Sequence, residues 1–342
     1  MPASVTIKDI ARELNLSHVT VSRVLNNHTG GYTSLATRER IRETAARMGY
    51  RPNLMARALA TGRTGLISVW VPRPYAPYYA SILMHLRRRL REDGYSILIS
   101  DTFEGGVGNI PVCPLNELPA DGIIAVDGYH YLARHLQHDA RLRLPVVNMG
   151  TGYSEQTDSV GLNQYSASVE AVRHLGGQGC RRIAYLTVDN GLPDARRSAY
   201  AAVVEELGLS PEYIFVSEET RLAARTAVTE HLQQVEKPFD GLFCRNDDLA
   251  VGAYRALRDA GLRVPADVAL VGCDGIEETE YHDPTFSTIN KPVEEMCDLA
   301  WRYLQQRIAD PDIAQQHIVL PAHFVVRESS SRTQPAKEGT PP

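Results

Sequence analysis

The sequence predicts a small all-α head at the N-terminus followed by a larger α/β body built on parallel sheets. Three observations carry this. Residues 6–27, TIKDIARELNLSHVTVSRVLNN, read as two short helices joined by a tight turn. From Gly65 onward, short apolar runs alternate with amphipathic helical stretches. Charge is divided: residues 1–63 carry ten Lys/Arg against four acids, a net of +6, while the whole 342-residue chain is at −5. A basic head on an acidic body suits a polyanion binder with a separate second domain.

In the head, Ile7, Ile10, Ala11 and Leu14 recur at helical spacing and form the inner face of a first helix. Leu16 closes the turn, and Ser17 stands where an N-cap belongs. Val21, Val24 and Leu25 then make the buried stripe of the second helix, leaving His18, Val19, Ser22 and Arg23 outside. One helix with such an exposed face is the element that enters a DNA major groove. A polar loop leads to a third helix over 37–48, and Asn53–Ala60 is a helix-capable segment too short to be stable alone.

In the body, strands are predicted at 66–71, 95–100, 122–126, 145–149, 182–188, 241–244 and 268–274. Helices are predicted at 79–92, 167–175, 194–207, 221–234, 248–260 and 293–307. Apolar strands alternating with amphipathic helices imply parallel sheets with helices on both faces. Ligands of such folds bind beyond the carboxyl ends of the strands, where strand order reverses. The Pro/Gly-rich tail from 333 is expected to be disordered.

Several motifs together resemble the lactose/galactose repressor (LacI/GalR) family of bacterial transcription regulators. They are Thr6 to Ala11 (TIKDIA), Thr20 to Asn26 (TVSRVLN), Thr37-Arg38, Gly49 to Asn53 (GYRPN) and Ala56 to Ala60. The resemblance implies a helix-turn-helix headpiece over 1–52 and a hinge helix or linker over 53–63. It also implies a two-lobed, periplasmic-binding-protein-like effector and dimerisation domain over 64–332. The chain would cross between the lobes near 162, 291 and 320.

For the head, the resemblance implies DNA contacts from Ser17, His18, Val19, Thr20, Ser22, Arg23, Asn26, Tyr50 and Asn53. The hinge would add Ala56, whose small side chain allows close approach, and Leu59, which would wedge into the minor groove. Arg23 has the reach to meet base edges or phosphate, and Val19 offers only methyl groups. For Thr20 and Ser22, local capping is as good an account as a DNA contact.

For the body, aromatic Tyr75, Tyr78 and Tyr79 follow the first strand and could stack on a sugar face. By resemblance Arg196 would bind effector hydroxyls or a carboxylate. Asn246 and Asp274 close two adjacent strands and suit a polyhydroxylated ligand. Asp247 is read as a helix cap. Asn148 ends another strand, and Asp127 could supply a contact that some sugar-binding members take from an Asp where Gly150 stands. The segment 101–121 is short and Gly/Pro-broken where the family has a full helix; a branch that includes the repressor of the evolved β-galactosidase operon shares this, pointing to a galactoside.

No cofactor or metal site is expected. Gly106-Val-Gly-Asn lacks the third glycine and the helix of a dinucleotide site. His130, His135 and His138 are interleaved with leucines, and no Cys accompanies them. Cys180, Cys244 and Cys273 adjoin apolar runs and read as buried or partly buried free thiols. No signal peptide or membrane span is visible, which points to the cytoplasm. The expected partners are double-stranded operator DNA, a small carbohydrate effector and a second copy of the chain, with tetramers possible. The expected function is a repressor released by its ligand, not an enzyme. A corepressor-dependent regulator and a sugar-binding transport-type protein are the competing possibilities.

Overall fold

The computed structural model describes residues 5–25, 33–50, 62–102, 119–128, 132–133, 144–152, 155–189, 191 and 194–332. The chain divides into two compact units, 1–64 and 65–342.

The first unit is three helices, α1 (Ile7–Leu14), α2 (His18–Leu25) and α3 (Leu35–Arg47). Thr6 opens α1 through a reciprocal box: its hydroxyl accepts the Asp9 amide, and the Asp9 carboxylate accepts the Thr6 amide at 3.0 Å. Asn15 ends α1 in the left-handed conformation, turning the chain toward α2. Ser34 caps α3 by accepting the Thr37 amide, so that helix begins two residues before the predicted start. Ile10, Ala11, Val21, Val24, Ile41 and Ala45 form the core of this unit, with Ile7, Leu14, Leu16, Leu25 and Tyr50 packed around them. The hinge residues 53–61 and the histidine cluster lie outside the described residues.

The second unit has two lobes. The first lobe carries a six-stranded parallel sheet made of β1 (Leu66–Val71), β2 (Ser96–Asp101), β3 (Gly122–Val126), β4 (Val146–Gly150), β5 (Asp158–Asn163) and β11 (His317–Pro321). Its spatial order is β11-β5-β4-β3-β1-β2. Helices α4 (Pro77–Glu92) and α9 (Val293–Ala309) pack together against it. Ile82, Leu86 and Leu90 of α4 recur at helical spacing and are fully buried beside Trp301 and Leu304 of α9. Trp301 keeps its indole N–H paired with Asp93 at 2.7 Å.

The second lobe repeats the plan. Its strands are β6 (Ile183–Val188), β7 (Glu212–Val216), β8 (Gly241–Cys244), β9 (Ala269–Asp274), β10 (Ser287–Asn290) and β12 (His323–Val325). They run in the order β12-β10-β9-β8-β6-β7. All are parallel except β12, an antiparallel edge that the sequence did not announce. The helices are α5 (Tyr165–Gly177), α6 (Ala195–Glu206), α7 (Arg221–Gln234) and α8 (Asp247–Asp259). Between α7 and α8 the approach is so close that a Cβ at Gly252 would lie 2.2 Å from the Arg221 carbonyl oxygen.

The chain passes between the sheets after β5, after β10 and between β11 and β12. Two passages lie side by side, since the Ala322 amide donates to the Asn163 carbonyl at 2.9 Å. Strand order reverses between β1 and β3 in one sheet and between β6 and β8 in the other. Cys180, Cys244, Cys273 and Cys297 are buried free thiols.

Candidate functional site

On the head, the Ser17 hydroxyl accepts the Thr20 amide at 3.1 Å and meets the Thr20 hydroxyl at 2.8 Å. Both hydroxyls therefore serve the N-terminus of α2. His18, Val19 and Arg23 are exposed on that helix, and Ser22 is half-buried between them and the core. Exposing Val19 at 45% removes no core contact and leaves methyl groups free for a partner. Tyr50 is half-buried against the helical core. Asn26, Asn53, Ala56 and Leu59 lie outside the described residues.

In the body, the carboxyl ends of strands from both sheets enclose a cavity of about 610 Å³. That size lies within the range of small-molecule sites. Tyr78, Tyr79, Asp127, Arg196, Asn246 and Asp274 line it. Two predicted residues do not. Tyr75 is 73% exposed in the turn before α4 and stacks on nothing in the cleft. Asn148 is fully buried within β4, two residues short of the strand end, where its amide donates to the Gly152 carbonyl at 2.9 Å.

A third correction concerns Asp247. The cap of α8 is Asn246, whose side-chain oxygen accepts the Leu249 amide at 2.8 Å. Asp247 is instead fully buried and accepts the amides of Gly275 and Ile276 and the Thr288 hydroxyl. It thereby holds the turn after β9 that presents Asp274. Burial, and secondly Asp274, push the Asp247 carboxyl up to about 7.

The cavity wall also holds residues that sequence reasoning passed over: Arg73, Gln164, Asp194, Glu219, Arg245 and Lys291. Asp194 caps α6 and accepts from Arg196 at 2.9 Å, from the Tyr185 hydroxyl at 2.9 Å and from Arg245. Burial works against its charge, yet Arg196 and Arg245 outweigh it and hold the carboxyl at about 2. Arg245 also meets Glu219 at 2.8 Å, and Glu219 meets Arg73 at 2.7 Å. Arg73 belongs to the first lobe and Glu219 to the second, so this pair spans the cleft. Lys291 pairs with Asp274 at 2.6 Å and lies 4.0 Å above the Tyr78 ring.

Asp127 is held differently. Its carboxylate accepts the amide and hydroxyl of Thr151 at 2.7 and 2.8 Å, and the Tyr79 hydroxyl at 3.3 Å. A Cβ at Gly150 would lie 2.3 Å from an Asp127 oxygen, so Asp127 fills the space that an acidic residue at 150 would need. Tyr78, almost fully buried, has a hydroxyl with no hydrogen-bond partner among the described residues. Among the described residues, Arg73, Asp127 and Asp274 adopt positive φ of 51°, 46° and 137°, and all three face the cavity. Such strain persists where the surroundings fix it, and it concentrates at functional sites. The wall thus combines oriented carboxylates, guanidinium groups and an aromatic face, the equipment for gripping a small polar molecule.

Comparison with known proteins agrees with this two-part design. Residues 6–53 match the model of bacterial regulatory proteins of the lacI family, and residues 172–330 match a periplasmic binding protein-like domain. The chain thus carries a lacI-family DNA-binding head joined to a periplasmic-binding-protein-like body. Its lacI-family relatives include the probable HTH-type transcriptional repressor ExuR of Bacillus subtilis, 28% identical over 96% of this chain and 99% of that protein. The ribose operon repressor of Haemophilus influenzae is 29% identical over 95% and 98%. Among solved structures, the transcriptional regulator CelR in complex with cellobiose superposes with a TM-score of 0.65 at 26% identity, covering 95% of this chain and 99% of that one.

With a lacI-family head and a periplasmic-binding-protein-like body, the exposed α2 face is the candidate DNA-reading surface and the cleft the candidate effector site. No group of three or more His, Cys, Asp or Glu among the described residues could hold a metal ion. Among the same residues, no helix is long and apolar enough to cross a membrane.

Proposed function

We infer that this protein is a transcriptional repressor that binds a pseudo-palindromic operator as a homodimer and is released from it by a small polyhydroxylated ligand. The observation that carries the ligand class is the cleft wall, where Asp127, Asp274, Arg196 and Asn246 converge from both lobes. Oriented carboxylates and amides recognise hydroxyl groups, and the Tyr78 hydroxyl offers a further group without a partner among the described residues. The ribose operon and cellobiose named for two relatives favour a sugar.

DNA reading is assigned to His18, Val19 and Arg23 on the exposed face of α2, with phosphate contacts from the helix start. One head covers a half-site, so a two-fold protein dimer matches a two-fold site. The ligand acts by binding the two conformations of the body with different affinity, which is the requirement for coupling it to operator affinity.

The test is fluorescence anisotropy on DNA from upstream of the protein's own gene, at fixed salt, with a panel of sugars and glycosides that includes galactosides. Tight, salt-sensitive binding released by one sugar supports the proposal. Binding that appears only when a sugar is added reverses the sense of regulation. Specific binding that no sugar alters removes the sugar from the proposal, and Arg196→Ala with unchanged calorimetric affinity for a bound sugar removes Arg196 from the site.

A further inference from the structure

Glu219 is unusual among the cleft carboxylates. Asp194 is locked as the cap of α6 and takes a tyrosine hydroxyl and two arginines. Glu219 instead lies on the short loop between β7 and α7, immediately before the helix cap Thr220. Its side chain keeps 21% of its exposure, against 6% for Asp194. Yet the donors on it come from both lobes. Arg73 reaches one oxygen at 2.7 Å, the Asn246 amide reaches the same oxygen at 3.1 Å, and Arg245 reaches the other at 2.8 Å. A second Arg73 nitrogen donates to the Glu219 backbone carbonyl at 2.6 Å.

Two guanidinium groups and an amide converging on both oxygens form a carboxylate receptor, with donors arranged for charge-assisted hydrogen bonds. Arg196 stands behind it, donating to the Arg245 carbonyl at 2.8 Å. Three arginines gathered on one wall repel one another, and two carboxylates offset that repulsion. One of these, Asp194, is part of the framework. The other is carried on a loop and keeps partial access to water.

We propose that Arg73, Arg245 and Asn246 form an acid-recognising subsite of the cleft, in which Glu219 is an internal stand-in displaced by the carboxylate of the ligand. The ligand is then a sugar acid: its hydroxyls meet Asp127 and Asp274, and its carboxylate takes the donors that Glu219 releases. This deepens the assignment of the cleft as the effector site and rests on it. It also gives the ligand a direct hold on closure, because the donor set is complete only when Arg73 of the first lobe and Arg245 of the second face each other.

The test is isothermal titration calorimetry on the full-length protein with galacturonate, glucuronate, their methyl esters, galactose and glucose. The expected result is an acid bound at least about tenfold more tightly than its ester and its neutral parent sugar. The ester keeps the shape and removes the charge, so this comparison needs no variant. Arg73→Gln should abolish the preference, and Glu219→Gln should tighten acid binding several-fold by removing the competing carboxylate. Neutral sugars binding as well as or better than the acids, with Arg73→Gln indifferent to charge, overturns the acid subsite and leaves the sugar cleft standing. If no member of the panel binds, the acid subsite falls, and the sugar cleft is then decided by the wider panel of sugars and glycosides.

Discussion

Asp247 gives the sharpest test of how the cleft is built. It is fully buried, accepts two amides of the turn after β9, and meets the Thr288 hydroxyl. Its folded carboxyl titrates near 7 against an ordinary value of 3.8. Because the folded value is the higher one, its contribution to stability is fully present below about pH 4 and disappears as pH rises through 7. At about 1.4 kcal/mol per pH unit, this amounts to roughly 3 kcal/mol between pH 5 and pH 8. Asp247→Asn keeps an oxygen for the Gly275 and Ile276 amides and an N–H for Thr288, but it does not titrate. Wild type should therefore lose about 3 kcal/mol more stability than Asp247→Asn between those pH values. Asp247→Ala strands the Ile276 amide and leaves the Gly275 amide only the Thr288 hydroxyl at 3.3 Å, and should be about 2–4 kcal/mol less stable than Asp247→Asn at either pH. Urea unfolding of the full chain followed by far-ultraviolet circular dichroism measures all three. Equal pH dependence in wild type and Asp247→Asn, or an alanine variant as stable as the asparagine one, would refute the reasoning.

Further outcomes are expected elsewhere in the chain. Arg23→Ala should abolish operator binding in anisotropy while leaving calorimetric ligand affinity intact; an equal fall in both would end the division of labour between head and body. Leu59→Ala, at the hinge position implied by the family resemblance, should weaken operator binding with little change on random DNA, and equal loss on both would exclude a minor-groove wedge. Ser17→Ala removes the hydroxyl that accepts the Thr20 amide and should cost the head about 1 kcal/mol, read as a lower melting midpoint. Gly252→Ala would place its Cβ 2.2 Å from the Arg221 carbonyl oxygen, and the forced separation of α7 and α8 should destabilise the chain by about 1–3 kcal/mol.

The helices and the apolar central strands were legible because their burial follows a simple period. Ile82, Leu86 and Leu90 mark α4, and LISVWV marks β1. The polar strands were not. In β10, Ser287 and Thr288 are fully buried but satisfied by Ser329, Ser330, Arg327 and Asp247, partners about 40 residues distant in sequence. β5 similarly begins with Asp158, whose burial depends on Arg307 at 2.8 Å.

The site divided along the same line. Asp274 and Asn246 could be found because each follows an apolar strand, where ligands of parallel sheets bind. Arg73 and Glu219 could not, since their significance is a contact across 146 residues. Arg245 adjoins Asn246, and its position after β8 was the available signal. Tyr75 misled for a related reason: aromatic character says nothing about which of three neighbouring tyrosines turns inward, and only Tyr78 and Tyr79 do.

The passages between the two sheets have a mechanical meaning. Gln164 occupies the first of them and Lys291 the second, and both are also walls of the cavity. The pivot and the sensor are thus one stretch of backbone. A molecule that meets the Lys291 ammonium therefore touches the connection between the lobes directly, with no train of packed side chains between them.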